Sequence, residues 1–362
     1  MKKTTTANKR PKRVVGMDLS DQSFMYQELD RNGEVIGSGS VKLTRETLRE
    51  FLRQRPKGTR VAFEAGGQSG WVRDEVEAAG HEAIVADPRR LPQITEKRHR
   101  TDEVDAAGLA HFAFVDPTTL HPVQLRSSSQ QAAMSVIRAR NGLVEARTKL
   151  INMVRGLVKL SGHRIAKCDA DVFAERALEG LPSTECETVS PVIRSIRQIT
   201  AEIAHYDKLI EEMAERDYPE ARYLWQVPGV GKLTALTYLL TIGSPDRVAR
   251  SRDVGPRLGL VPARRQSGKK DPHLGITKTG DRYLRKLLVQ CAQRTIGKRG
   301  VDSALRRWGL AHAGRTRATK KCAVVGVARK LAVMLHRLWA RHEAYRPFPS
   351  GELPSAESSC TA

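Results

Sequence analysis

The chain has 362 residues, enough for two or three domains, and 40% of them are hydrophobic, an ordinary globular share. It carries 62 Lys or Arg against 40 Asp or Glu, a formal net charge of +22, which points to a polyanionic partner, nucleic acid first. No apolar run is long enough to span a membrane, the basic start Met1-Lys2-Lys3 leads into no apolar stretch, and the five scattered cysteines form no C-x-x-C pair. A membrane span, a signal peptide, a disulfide scaffold and a zinc site are therefore not expected, and the compartment reads as reducing cytoplasm. Aromatics are only 5%, so stacking of bases on aromatic platforms does not dominate binding.

Residues 1–12 read as a basic tail. A first domain, 13–126, opens with a buried strand from Arg13 to Asp18. Phe24 to Leu29 and Glu34 to Val41 follow as strands, joined by an Asp30-Arg31-Asn32-Gly33 hairpin turn, since Asn-Gly tolerates positive φ. The patterning then predicts a helix over Thr44–Arg53, a strand over Arg60–Glu64, a helix over Trp71–Ala79, a strand over Ala83–Ala86 and a helix over Thr101–Val115. Three strands in series followed by alternating helices and strands is the order of the RNase H-like α/β nuclease fold.

From Ser127 to Leu160 apolar pairs recur every seven residues, at Val136/Ile137, Leu143/Val144, Leu150/Ile151 and Leu157/Val158. A second seam runs through Val189, Val192, Ile196, Ile199, Ile203, Tyr206, Ile210 and Met213, with 161–188 as a linker. Residues 127–218 thus read as an antiparallel helical hairpin or coiled coil, serving as an intramolecular spacer or a dimerisation arm. Residues 219–348 form a mostly helical, basic domain, in which 261–330 hold 19 Lys or Arg against three Asp or Glu. A Pro- and Ser-rich tail, 349–362, is expected to be disordered.

Two constellations carry chemistry. Asp18 and Glu64 end the first and fourth strands, and Asp102 and Asp105 share one face of the last helix of the first domain at i, i+3. Strands one and four are neighbours in such a fold, so four carboxylates can converge at one end of the sheet. Close like charges repel unless cations sit between them, and an oxygen-only ligand set selects Mg²⁺, with two divalent ions possible and Mn²⁺ a substitute. Each acid alone has a structural explanation as a turn, cap or surface residue; their joint placement favours a metal site for phosphoryl transfer.

The second constellation is C-terminal. Pro228-Gly229-Val230-Gly231-Lys232-Leu233 is not a Walker loop, because Leu233 stands where Ser or Thr is needed and no strand precedes it. It reads as a helix-hairpin-helix whose Gly229, Gly231 and Lys232 hold a DNA phosphate, or as an ordinary helix–helix turn. Further on, Ser267 is followed by glycine and framed by Arg264, Arg265, Lys269 and Lys270, with Lys278 and Arg282 beyond. Such cations could bind phosphate around a serine nucleophile; the residues alone favour a flexible phosphate-contacting loop in which Ser267 is incidental.

The motifs resemble the transposases of the insertion-sequence "one-ten" family, also called DEDD-serine or bridge recombinases. Gly16-Met17-Asp18, Phe63-Glu64-Ala65 and Arg100-Thr101-Asp102-Glu103-Val104-Asp105-Ala106 are similar to its RuvC-like N-terminal motifs. Pro228-Gly229-Val230-Gly231, Gly259-Leu260-Val261-Pro262, Ser267-Gly268 and Thr277 to Arg285 are similar to its C-terminal serine transposase domain. The chain departs from the family in having Asp21 shortly after the first acid, where a basic residue is common, and Gln266 before a single Ser267, where two serines are common. The resemblance implies a metal-dependent enzyme in which Ser267 attacks a DNA phosphate and forms a phosphoserine link. It further implies a site composed of acids and serine from different protomers of a homo-oligomer, dimer or tetramer. Its partners are donor and target DNA and a structured noncoding bridge RNA that pairs with both. The rival readings are a Holliday-junction resolvase using metal-activated water and an inactive nucleic-acid-binding scaffold.

Overall fold

A computed structural model describes residues 11–91, 101–266 and 274–348. The chain divides into two compact units, Met1–Ala132 and Ala133–Ala362, so the helical hairpin and the C-terminal helices share one unit. In the first unit β1 (Val14–Leu19), β2 (Ser23–Leu29), β3 (Val35–Lys42), β4 (Arg60–Glu64) and β5 (Glu82–Ala86) form one sheet of spatial order β3-β2-β1-β4-β5. β1, β2 and β3 pair antiparallel; β4 and β5 continue parallel to β1. The helices are α1 (Arg45–Arg53), α2 (Ser69–Ala78) and α3 (Asp102–Val115). All eight elements fall within two residues of their expected positions.

The two faces of the sheet have separate cores. Val15, Met17, Phe24, Val61, Phe63 and Val85 pack with side chains of α1 and α2. Val14, Ala62, Ile84 and Ala86 pack with Leu109, Ala110 and Ala113 of α3. Cover on both faces explains the near-continuous apolar runs of β1, β4 and β5. Gly16 lies on the α3 face, where a Cβ would stand 2.2 Å from the Ala106 carbonyl oxygen and 2.3 Å from the Ala110 nitrogen. Arg60, the first residue of β4, donates to the Ala113 carbonyl at 2.9 Å. The C-terminal end of α3 therefore lies at the start of β4, and α3 runs antiparallel to β1 and β4.

α4 (Ser128–Leu160), whose first residues up to Ala132 still count to the first unit, and α5 (Ser183–Arg216) are the hairpin arms. Ala133, Met134 and Ile137 meet Ile210, Met213 and Ala214, while Ile151, Val154 and Val158 meet Val189, Ile193 and Ile196; the arms are antiparallel. Two features differ from the heptad reading. Midway, Arg147 is buried and donates to Asp171 at 2.7 Å and Thr200 at 3.3 Å, where Val144 was the expected seam residue and is only half-buried. The second arm also starts at Ser183, inside the expected linker, and carries Pro191 in its interior. Proline reads as a helix boundary because it lacks an N–H, and here packing of Val189 and Ile193 holds the helix through it.

The remaining helices, α6 (Lys232–Ile242), α7 (Arg282–Ile296), α8 (Ala304–His312) and α9 (Arg317–Arg341), share a core that includes Tyr238, Leu284, Leu288, Val327, Leu331 and Leu335. Tyr238 donates its hydroxyl to the Ala332 carbonyl at 2.7 Å. The first turn of α9, capped by Thr316, contains Arg317 and no acid. His336 of α9 is buried between Ser251 Oγ, 3.0 Å from Nδ1, and the Pro245 carbonyl, 3.2 Å from Nε2. A carbonyl only accepts, so Nε2 carries the proton and Nδ1 accepts from the serine. Burial holds this imidazole below its ordinary value, outweighing the Pro245 hydrogen bond.

Two outcomes are expected. Gly16→Ala drives a methyl group into the backbone of α3 and lowers urea stability of the first unit by about 3 kcal/mol. Gly142→Ala, in the interior of α4 with open space around it, raises stability by about 0.5–1 kcal/mol; equal effects of the two would remove the close-approach argument. The second concerns His336: the unfolded imidazole takes a proton near pH 6.5 and the folded one only at lower pH, so stability is full above about 6.5 and falls below it. His336→Gln flattens that part of the melting-temperature profile; an unchanged slope would assign it to other groups.

Candidate active site and nucleic-acid interface

Asp18 and Glu64 stand side by side at the C-terminal ends of two parallel strands. The register pairs Met17 with Phe63, and one step further brings Asp18 beside Glu64. Side chains alternate along a strand, so Asp18 shares the face of Gly16, and Glu64 that of Ala62; both are on the α3 side. Asp102 and Asp105 occupy the first turns of α3, and Asp105 immediately precedes Ala106, whose carbonyl abuts Gly16. Because α3 runs antiparallel to β1, its N-terminus lies at the strand ends that carry Asp18 and Glu64. The loops there are tied down: Gln68 Nε2 donates to the Ser20 carbonyl at 2.9 Å, and Ser69 Oγ to the Glu64 carbonyl at 2.9 Å.

Glu64 Oε1 and Asp105 Oδ1 are screened from solvent, whereas Asp102 is exposed. Hard carboxylate oxygens at one sheet end are the donor chemistry that Mg²⁺ takes. The helix N-terminus also favours Asp102 and Asp105 through its dipole. Among the described residues, no group of three or more His, Cys, Asp or Glu side chains is gathered tightly enough to hold a metal ion. The acids share an end of the sheet without being gathered into such a group.

In the second unit the glycine hairpin follows a short helical turn, Arg222–Trp225. The Val230 nitrogen donates to the Val227 carbonyl at 3.0 Å, with Pro228 and Gly229 (φ +91°) between them, the residue pattern of a type II turn. Gly231 caps α6 without a side-chain hydrogen bond. Val227–Gly231, together with Arg294, Arg299, Ser303 and Tyr345, line a cleft of about 370 Å³. Lys232 is turned to other work: its ammonium meets Glu215 at 2.7 Å and Glu211 at 3.6 Å. The Glu215 hydrogen bond holds it above its ordinary pKa.

Ser267, Lys269 and Lys270 lie outside the described residues; the chain on either side of them is described. Residues 259–263 and 275–278 form a short antiparallel ladder. Ala263 donates to Gly275 (2.8 Å), Thr277 to Val261 (2.9 Å) and Lys278 to Gly259 (3.2 Å), with Pro262 opposite Ile276. The sequence reading gave this segment no strand, because its legs are short and set among helices. At its base two backbones cross. A Cβ on Gly259 would meet the Thr279 nitrogen at 2.3 Å, and one on Gly280 the Arg257 carbonyl oxygen at 2.2 Å; both glycines have positive φ. Asp281 caps α7 by accepting from the Leu284 nitrogen at 2.7 Å. Arg264, Arg265, Lys278 and Arg282 are exposed and carry no ion pair among the described residues. Arg285 closes the family block that begins at Thr277 and has no role assigned from sequence; its Nη1 donates to both the Leu258 and Thr279 carbonyls.

Comparison with known proteins covers both constellations. Residues 15–162, which contain all four acids, match a transposase model of the DEDD class named for IS110. Residues 221–307, which contain the glycine hairpin and the ladder, match the model described as transposase IS116/IS110/IS902 family. The chain is 27% identical over 347 residues to the transposase for insertion sequence element IS1111A of Coxiella burnetii, covering 92% of this chain and 91% of the relative. It is 29% identical over 344 residues to a probable family 20 transposase of Pseudomonas aeruginosa, covering 92% and 98%. With the transposase for insertion sequence element IS1328 of Yersinia enterocolitica it shares 27% over 289 residues, covering 77% and 83%.

Proposed function

We propose, from the premise that this chain belongs to the IS116/IS110/IS902 family of transposases, that it cleaves and rejoins DNA strands by serine transesterification on an RNase H-like (RuvC-like) metal domain. The observation that carries the reading is the convergence of Asp18, Glu64 and the first turns of α3 at one end of the sheet. A divalent ion held by Asp18, Glu64, Asp102 and Asp105, Mg²⁺ by the hardness of the donors, would neutralise charge on a reacting phosphate. Ser267 Oγ forms the new O–P bond as one strand ester breaks, leaving that strand end as a hydroxyl that takes up the serine proton. Reversal with a hydroxyl from another strand rejoins the DNA. The number of phosphodiesters is conserved, so no ATP is needed. Arg264, Arg265, Lys269, Lys270, Lys278 and Arg282 neutralise the phosphate backbone around the serine.

The family resemblance implies that acids and serine come from different protomers. Exposed Met153, Leu157 and Leu160 on α4 give the hairpin an apolar surface for a second copy, in keeping with a dimer or tetramer. The basic 261–330 segment and the scarcity of aromatics fit a structured RNA whose duplex is held by backbone and shape. Such an RNA would choose donor and target sites by base pairing. No described helix is long and apolar enough to cross a membrane.

The test uses labelled DNA and denaturing electrophoresis. Wild-type protein forms a covalent adduct that peptide mapping places on Ser267. Ser267→Ala binds DNA without forming it, and Glu64→Gln folds but cleaves at least about 100-fold more slowly, as expected when charge stabilisation is lost. Metal-dependent cleavage with no adduct would favour the resolvase reading. Discrete RNA co-purifying with the protein supports the guided reading.

A further inference from the structure

The legs that lead into and out of the serine loop meet at one side chain, and we infer that Arg285 is the positioning residue for that loop; this rests on the reading of Ser267 given above. Arg285 lies in the first turn of α7, behind its cap Asp281. Its Nη1 donates to the Leu258 carbonyl at 3.0 Å and to the Thr279 carbonyl at 2.7 Å. These carbonyls stand immediately before one leg, 259–263, and immediately after the other, 275–278. The guanidinium thereby closes the base of the ladder, beside the Thr279 hydroxyl, which donates to the Pro256 carbonyl at 3.2 Å.

Three cross-leg backbone bonds are too few to hold a two-stranded hairpin rigid by themselves. α7 is rigid, because Leu284, Leu287 and Leu288 are buried. Arg285 therefore carries the rigidity of a core helix into both legs. The division of labour among neighbouring cations follows. Arg264, Arg265, Lys278 and Arg282 face outward and serve phosphate binding, whereas Arg285 turns its donors inward onto carbonyls.

The full-length protein tests this. Arg285→Ala should slow adduct formation at saturating DNA by about 10-fold or more, since small misplacements of a reacting group are costly, while DNA affinity stays within about two-fold. Trypsin should also cut faster after Arg264 and Arg265. A second variant adds Pro262→Cys and Ile276→Cys, the facing pair of the ladder, to the Arg285→Ala chain. Once the cross-link is verified by mass, the rate should recover and fall again on reduction. Arg285→Lys, one ammonium in place of a fork, should show the same split between rate and affinity if the alanine chain does not fold. The inference is overturned by an adduct rate equal to the parent's, by an affinity loss as large as the rate loss, or by a cross-linked protein that stays slow. If Ser267→Ala still forms the adduct, the serine reading fails instead, and the tryptic comparison decides on Arg285 alone.

Discussion

Backbone meeting backbone, with no side chain between, sets the geometry of the carboxylate end of the sheet and of the ladder whose legs precede and follow the serine segment. At Gly16 the peptide groups of α3 occupy the space a Cβ would need, and the helix rests directly on β1. With Leu109, Ala110 and Ala113 buried against the sheet, the first turns of α3 are drawn to the strand ends, and Asp105 goes with them. A β-branched residue at position 16 would lift the helix off the sheet and separate its acids from Asp18 and Glu64. Gly259 and Gly280 do the corresponding work in the second unit, letting two loops cross at the foot of the ladder.

Much of the first unit was legible in the sequence because local signals agree with tertiary ones there. Asp30 and Gly33 built the expected hairpin: the Asp30 carboxylate accepts from Asn32 and Glu34 nitrogens at 2.8 and 2.9 Å, and Gly33 takes φ +88°. Those backbone donors, Glu34 first, hold the Asp30 carboxyl below the usual carboxylate range. Thr44 and Thr101 cap α1 and α3, where short polar residues precede apolar periodicity. The placement of the acids was readable for the same reason, since it follows from strand order and helix spacing.

What was not legible depends on partners distant in sequence. Lys232 looked like a phosphate ligand; its carboxylate partners, Glu211 and Glu215, belong to the preceding helix and enter only through the fold. Arg147 sits inside a heptad pattern and is buried because Asp171 and Thr200 satisfy it. Arg285 is one cation in a basic block, and nothing local separates it from Arg282; only the converging carbonyls of Leu258 and Thr279 do.

The first turn of α9 has a thermodynamic consequence. Arg315, Arg317, Lys320 and Lys321 crowd a helix start that has no acid in its first turn. Arg317, in that turn, opposes the macrodipole by about 0.3–1 kcal/mol at low ionic strength, and the cations beyond the turn add less. The unliganded protein thus keeps an electrostatic frustration at the start of its longest C-terminal helix. An anion at that end relieves it, and any ligand preferring the folded state raises that state's stability in proportion to its excess over the dissociation constant. Any anion held there would link its own occupancy to the folding of α9, and rising salt, which screens both repulsion and attraction, would weaken that linkage from both sides.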